Sequence, residues 1–217
     1  MELIIQTFRY SDLSNPKMAR RQAEMDQCLQ TNMAHPLINK IHILTNAADK
    51  AYFEAINPDA TIVIFEKQPT YKDFVEYANT LPKGTLVTFC NSDIEIGEIK
   101  NNIQLRVNNT NMYAITRHEK DDNGTVTSPK IDNFMGSHDL YVFSTPIRVD
   151  TSKIDHKQNL FGAENKFLYY VKLAGYNIYN PCRQFIIYHR HFGSVYFENY
   201  ARVNMNGESF YKAPDRI

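Results

Sequence analysis

Thr85-Leu86-Val87-Thr88-Phe89-Cys90-Asn91-Ser92-Asp93 is the stretch on which the fold reading turns. Thr85 to Cys90 is apolar and β-branched enough to be a core strand, entered through the turn Pro82-Lys83-Gly84. The run stops at Asn91-Ser92-Asp93, which puts a carboxylate just past the strand's carboxyl end. In open α/β sheets, ligands bind in the crevice beyond those ends. A carboxylate there suits a hard cation shared with phosphate oxygens. It equally suits a turn in which Asn91 and Asp93 make only local side-chain-to-backbone hydrogen bonds.

Upstream of this strand, elements alternate. Leu3 to Phe8 reads as a first strand, and Pro16 opens a helix carrying Met18, Met25, Cys28 and Leu29 at helical spacing. Ile38 to Leu44 is a second strand, and Ala47 to Ile56 a helix or turn closed by Asn57-Pro58. Ala60 to Phe65 is a continuous β-branched run, expected to be a strand buried on both faces. Thr70 can cap a helix to Leu81 whose buried side is Phe74, Val75, Tyr77 and Ala78. A β-α-β-α-β-α-β order implies a mostly parallel sheet with helices on both faces, the α/β class.

Past Asp93 the pattern loosens. Met112 to Thr116 and Asp139 to Phe143 are strand-like, and His118 to Lys130 is polar with a turn at Asn123-Gly124. Leu160 to Ala174 is a helix stopped by Gly175, and Gln184 to Tyr188 a last strand running into His189-Arg190-His191. The tail from Glu198 to Ile217 is polar and aromatic, with no packing element expected, and its end would suit a domain cut from a longer protein.

The bulk numbers narrow the function. The chain has 217 residues, 43% of them hydrophobic, enough for a sizeable single core. Lys plus Arg equals Asp plus Glu at 24 each, so no overall field draws in nucleic acid or an anionic membrane. No run approaches the roughly 18 apolar residues needed to span a bilayer. The start Met1-Glu2-Leu3-Ile4-Ile5 shows no secretory leader, so a cytoplasmic protein is expected and the sequons at Asn108 and Asn123 read as accidental. Cys28, Cys90 and Cys182 are widely spaced, which points to reduced thiols rather than a zinc-cysteine site.

Other candidates are each ambiguous alone. His189 and His191 share one face of a strand, as two metal ligands or phosphate contacts would, and as many surface histidines do. Glu164 at a helix start is either a general base or a residue favoured by the helix terminus. Asp139 opens a strand, an uncommon place for a charge that does not face a cleft. Phosphate-cradling glycine loops are missing, and with 8 glycines in all a backbone nest is disfavoured. A bound diphosphate would then need a cation to neutralise it.

Eight segments in order resemble small GT-A glycosyltransferases of viruses and bacteria: Arg21–Asn32, Ile38–Leu44, Gln68–Phe74, Asn91–Ile94, Ser137–Phe143, Phe161–Asn165, Gly175–Pro181 and Ile187–His191. The resemblance implies a GT-A fold on a single domain: a Rossmann-like nucleotide-binding half with a mostly parallel central sheet over residues 1–95, joined to a smaller acceptor-binding half over 96–217. It makes Asn91-Ser92-Asp93 a version of the DxD motif with Asp93 as the metal carboxylate, completed by His191 or His189. Thr7, Arg9, Tyr71, Lys72, Asp73, Asn91, Ser92 and Arg117 would contact the nucleotide sugar, and Glu164 and Asp139 would serve the acceptor. The activity implied is transfer of a hexose or deoxyhexose from a nucleoside diphosphate sugar, a UDP-sugar foremost, to a hydroxyl of a glycan or glycoprotein such as a viral capsid glycan. Its cofactor would be Mn²⁺ or Mg²⁺, and its setting the host cytoplasm if viral. Glutamate stands at 164 where aspartate is usual, and Tyr141 where tryptophan is frequent. Two rivals stay open: a metal-dependent phosphoesterase built on Asp93 and the histidine pair, and a nucleotide-sugar-binding module without turnover.

Overall fold

The computed structural model describes residues 1–100, 106–121, 123–126, 130–190 and 202–215. The chain forms β1 (Glu2–Gln6), α1 (Pro16–Met33), β2 (Lys40–Thr45), α2 (Lys50–Ile56), β3 (Thr61–Ile64), α3 (Tyr71–Ala78) and β4 (Leu86–Cys90), the expected alternation. Then follow β5 (Ile94–Ile99), β6 (Asn111–Ile115), β7 (His118–Lys120), β8 (Leu140–Ser144), a 3-10 turn at Thr151–Lys153, α4 (Ala163–Leu173), β9 (Asn177–Tyr179) and β10 (Phe185–Arg190).

Seven strands make one sheet in the order β3-β2-β1-β4-β8-β6-β9. Strands β1 to β4 are mutually parallel, and only β8 runs against its neighbours. The reversal follows from connectivity: β6 and β8 pair Ile115 with Leu140, so the long excursion between them leaves and re-enters at one end of the sheet. Strand β1 lies centrally, with Leu3, Ile4 and Ile5 fully buried. Alternation sends Ile4 to one face, with Phe74 of α3, Phe89, Phe143 and Phe167 of α4. Leu3 and Ile5 go to the other, with Leu29 of α1, Phe53 of α2 and Ile94 and Ile187 of a second sheet.

That second sheet has the order β5-β10-β7, with β5 antiparallel and β7 parallel to β10. Asn32, fully buried on α1, fixes it: its Nδ2 donates to the Ile94 carbonyl at 2.8 Å and its Oδ1 accepts from the Ile96 N–H at 2.7 Å. Helix starts obey local chemistry. Asn15 caps α1 ahead of Pro16, and Thr70 with Asp73 forms a reciprocal capping box on α3. Gly162 at the head of α4 has φ of 81°, a left-handed geometry that an L side chain rarely adopts.

Several expectations are corrected. The run Ala60 to Phe65 is not buried on both faces: among the described residues β3 is a sheet edge paired only with β2, and Ile64 is exposed. The polar segment from His118 has the turn expected at Asn123-Gly124, where the Asp121 side chain accepts from the Thr125 N–H at 2.8 Å, but opens with a strand, β7, that was not expected. The tail is packed in its described part. Val203 is buried, Phe210 lies against the core, and the Asp215 carboxylate accepts from the Asn180 N–H at 2.8 Å. All three cysteines are buried and unpaired. Among the described residues no helix is long and apolar enough to cross a membrane.

Phe89 is central to one face of the sheet, with ring centroids 5.4 Å from Phe74 and 5.8 Å from Phe143. Phe89→Ala is expected to lose about 3–5 kcal/mol in urea unfolding. Leu173→Ala, at an exposed position of α4, should stay within about 0.5 kcal/mol of the parent.

Candidate active site

The site sits where the strand order reverses. From β1 the chain builds outward to β2 and β3 on one side and returns to β4 on the other, leaving a crevice at the carboxyl ends of β1 and β4. Thr7 to Arg9 leave β1 into this crevice and Asn91 to Asp93 leave β4 into it. Two adjoining cavities occupy it. One, of about 390 Å³, is walled by Thr7, Phe8, Arg9, Asn46 and Lys67. The other, of about 200 Å³, is walled by Arg21, Asn91, Ser92, Asp93 and Gln158. Gln6, Phe8, Gln68 and Asn159 belong to both walls. Arg9 is held by its backbone N–H donating to Asp49 at 2.9 Å, with its guanidinium 5.0 Å from the Tyr52 ring centre.

Asp93 is the centre of a buried ionic chain. Its Oδ2 accepts a hydrogen bond from the Arg21 guanidinium of α1 and lies 3.0 Å from His189 Nε2 of β10. The other imidazole nitrogen, Nδ1, is 2.8 Å from Glu119 Oε2 on β7. Glu119 also accepts from Arg117 Nε at 2.9 Å, and Arg117 Nη1 donates to Asp139 Oδ1 at 2.7 Å. Asp139 is then saturated by Ser137 Oγ at 2.5 Å and by Asn91 Nδ2 at 3.3 Å.

Burial disfavours the charges of Arg21, Asp93, His189, Glu119 and Arg117, and the pairing outweighs it. Against burial, His189 and Arg21 hold Asp93 well below the usual carboxylate range. Burial opposes the imidazolium of His189 too, yet Asp93 and Glu119 push its pKa up to about 9. Glu119, likewise desolvated, is drawn down to about 2 by His189 and Arg117.

Glu164 behaves oppositely. It lies in the first turn of α4, whose N-terminus would favour a carboxylate and whose N-cap, Gly162, offers no side chain. Among the described residues its carboxyl takes no hydrogen bond or ion pair. Burial, and then the negative charge of Asp139, push its pKa up to about 8, with Arg117 opposing. Two acidic groups thus share one neighbourhood, one tied up and one poised to exchange a proton near neutral pH.

The structure therefore brings Asp93, His189, Asn91, Arg117, Asp139 and Glu164 into one region, and Thr7 and Arg9 into the adjoining cavity. Tyr71, Lys72 and Asp73 line neither of these two cavities. Tyr71 is core, its ring stacked on Phe167 at 4.3 Å between centroids and its hydroxyl 3.3 Å from that of Tyr141. Asp73 is spent on the Thr70 capping box, and Lys72 lines neither cavity of the crevice. Arg117 also lines neither; its guanidinium is committed to Glu119 and Asp139. His191 lies outside the described residues. The sequence reading missed Arg21, Glu119 and Gln158. For Arg21 a signal existed, because helical spacing puts it on one face of α1 with Met25 and Cys28, both buried.

Asp93 and His189 fit a divalent cation as a pair. Their 3.0 Å separation is a hydrogen bond here; to hold a cation, His189 would have to give up its Nε2 proton, after which the same spacing would suit neighbouring ligands of an ion bound at roughly 2.1 Å. Glu119 on the far imidazole nitrogen is the carboxylate–histidine arrangement typical of metal-ligating histidines. Among the described residues no group of three or more His, Cys, Asp and Glu could hold an ion alone. The donor set suits an ion whose other ligands are phosphate oxygens and water rather than a closed structural site.

No protein-family model and no curated protein sequence matches this chain. Among solved structures, it is similar to the crystal structure of GalNAc-T7 with UDP, GalNAc and Mn²⁺, at a TM-score of 0.52 and 9% identity. The match covers 91% of this chain and 44% of that one, so the chain spans less than half of that protein's length. The likeness shows the fold: an α/β, mostly parallel sheet of the GT-A glycosyltransferase type.

The Glu164 environment has a direct spectroscopic consequence. Followed by carboxyl-carbon NMR, Glu164 is expected to titrate near pH 8, protonated below and ionised above. Asp139→Asn removes the repelling charge and should move that midpoint down. A Glu164 midpoint in the ordinary range near pH 4.3 would contradict the burial and charge argument.

Proposed function

We propose that this chain is a metal-dependent glycosyltransferase domain that moves a hexose or deoxyhexose from a nucleoside diphosphate sugar, foremost a UDP-sugar, to a hydroxyl of a glycan or glycoprotein. One observation carries the reading. Asp93, past the carboxyl end of β4, walls a cavity of about 200 Å³ at the sheet's switch point and stands 3.0 Å from His189 of β10. A GT-A-type fold adds to it, as does the UDP and Mn²⁺ in the crystal structure of GalNAc-T7.

In this proposal residues 1–95 form the nucleotide half and 96–217 the acceptor half. Thr7 and Arg9 wall the space for the nucleoside, and Asn91, Ser92 and Asp93 face the diphosphate. Asp93 and His189 would hold Mn²⁺ or Mg²⁺, whose charge offsets that of the diphosphate. Arg21 and Glu119 act one step back, fixing the carboxylate and the imidazole so that both keep their orientation. On the acceptor side, ionised Glu164 takes the hydroxyl proton as that oxygen bonds to the anomeric carbon and the diphosphate departs with the electron pair of the broken C–O bond. Arg117 holds Asp139, and Asp139 keeps the pKa of Glu164 high enough for it to work as a base near neutral pH.

Calorimetry with a panel of UDP- and GDP-sugars, with and without Mn²⁺, tests the reading. At least one donor should bind more tightly with Mn²⁺, and Asp93→Asn should erase the Mn²⁺ dependence. Absence of nucleotide-sugar binding in both conditions contradicts the proposal. Binding without transfer to any supplied glycan acceptor would make the chain a binding module, and metal-dependent cleavage of plain phosphate esters would make it a phosphoesterase.

A further inference from the structure

Resting on the nucleotide-sugar reading, we propose that Arg21 is an exchangeable counter-ion. It holds Asp93 until a diphosphate draws its guanidinium across, so that nucleotide and divalent cation each admit the other to the site. The geometry begins with one oxygen. Asp93 Oδ2 accepts from the Arg21 guanidinium and is also the atom 3.0 Å from His189 Nε2. A cation bridging Asp93 and His189 therefore needs the oxygen on which a fixed positive charge already sits. Arginine keeps its proton in proteins, so this charge leaves only by moving.

Arg21 is placed to turn rather than withdraw. Its Nη1 donates to Glu24 Oε2 at 2.8 Å and to the Arg190 carbonyl at 3.3 Å, which anchors one end of the guanidinium. The other end, Nη2, is the one that donates to Asp93. Neither side of that ion pair is sealed, since the Arg21 and Asp93 side chains are 17% and 14% exposed. Both wall the smaller cavity together with Asn91 and Ser92, where the proposed function seats the diphosphate.

The charges on that wall decide the exchange. Among the described residues lining this cavity, Arg21 is the one cation and Asp93 the one anion. A diphosphate entering beside Asp93 sets negative groups against one another, and its acceptor-only oxygens match guanidinium N–H groups. Nη2 passes from the carboxylate to a phosphate oxygen, and Asp93 is left to the divalent ion. Without the diphosphate, guanidinium and ion would crowd one oxygen, a repulsion that weakens ion binding by about tenfold or more. Such coupling is reciprocal, so each ligand tightens the other by the same factor.

Mn²⁺ binding, followed by the electron paramagnetic resonance of the free ion, and UDP binding, by calorimetry, are measured singly and together. In the parent, UDP should tighten Mn²⁺ by about tenfold or more. Arg21→Gln should tighten Mn²⁺ alone by about tenfold and weaken UDP without metal by about tenfold. Arg21→Lys keeps the charge and should hold Mn²⁺ alone within about threefold of the parent. Opposite signs for the two ligands separate exchange from damage, because a misfolded variant loses both. Mn²⁺ affinity unchanged or weaker in the glutamine variant would make Arg21 a strut and overturn the proposal, as would UDP binding left unchanged. In the unsubstituted chain, the side-chain nitrogen NMR signals of Arg21 should shift on adding UDP without metal. Signals indifferent to bound UDP overturn the exchange whatever the variants do. A parent that binds no nucleotide with or without Mn²⁺ would sink the glycosyltransferase reading itself, a result distinct from all of these.

Discussion

A buried carboxylate cannot stay charged without cationic partners, and at Asp93 those partners come from opposite ends of the chain. Arg21 is 72 residues away and His189 is 96. The requirement fixes α1, the end of β4 and β10 against one another. Through Glu119 and Arg117 it reaches β7 and the entry to β8. A buried network of this kind is weak evidence for extra stability, because desolvation cancels much of the attraction. What it supplies is position. The second sheet is registered on the first at the switch point where a ligand crevice forms, so folding and site assembly are satisfied by one set of contacts.

The fold was legible because its signals are local. Alternating strands and helices through Cys90, caps at Asn15 and Thr70 and the stop at Gly175 are all read within a few residues of chain. Where the reading failed, the missing information was tertiary. A β-branched run such as Thr61 to Ile64 looks the same at the centre of a sheet and at its edge, and β3 is an edge. Ile94-Glu95-Ile96 alternates with period two and β5 could have been read from it, whereas β9 has three residues and no such pattern.

The candidate site was half legible for the same reason. Asp93 shows itself by following a buried strand, and His189 by sharing a strand face with a second histidine. Arg21 and Glu119 matter only through partners far away in sequence, and Gln158 looks like any amide in a polar loop until its burial is known. Tyr71 shows what a segment resemblance leaves out: its ring packs against Phe167 and Tyr141 in the core, which the sequence around it does not disclose. Asp139 and Glu164 were both placed on the acceptor side, Glu164 as the candidate base. Their surroundings separate them, since three hydrogen bonds occupy Asp139 while Glu164, beside that charge, takes no hydrogen bond or ion pair among the described residues.

A fold shared at 9% identity says how the chain is built, and the claim about what it does rests on Asp93 with His189. The most direct measurement is anomalous diffraction at the manganese edge from crystals grown with Mn²⁺ and UDP. The account predicts one strong peak at roughly 2.1–2.3 Å from both an Asp93 carboxylate oxygen and His189 Nε2, bridged to the diphosphate. A diphosphate bound with no manganese at that pair, or manganese bound elsewhere, would contradict it.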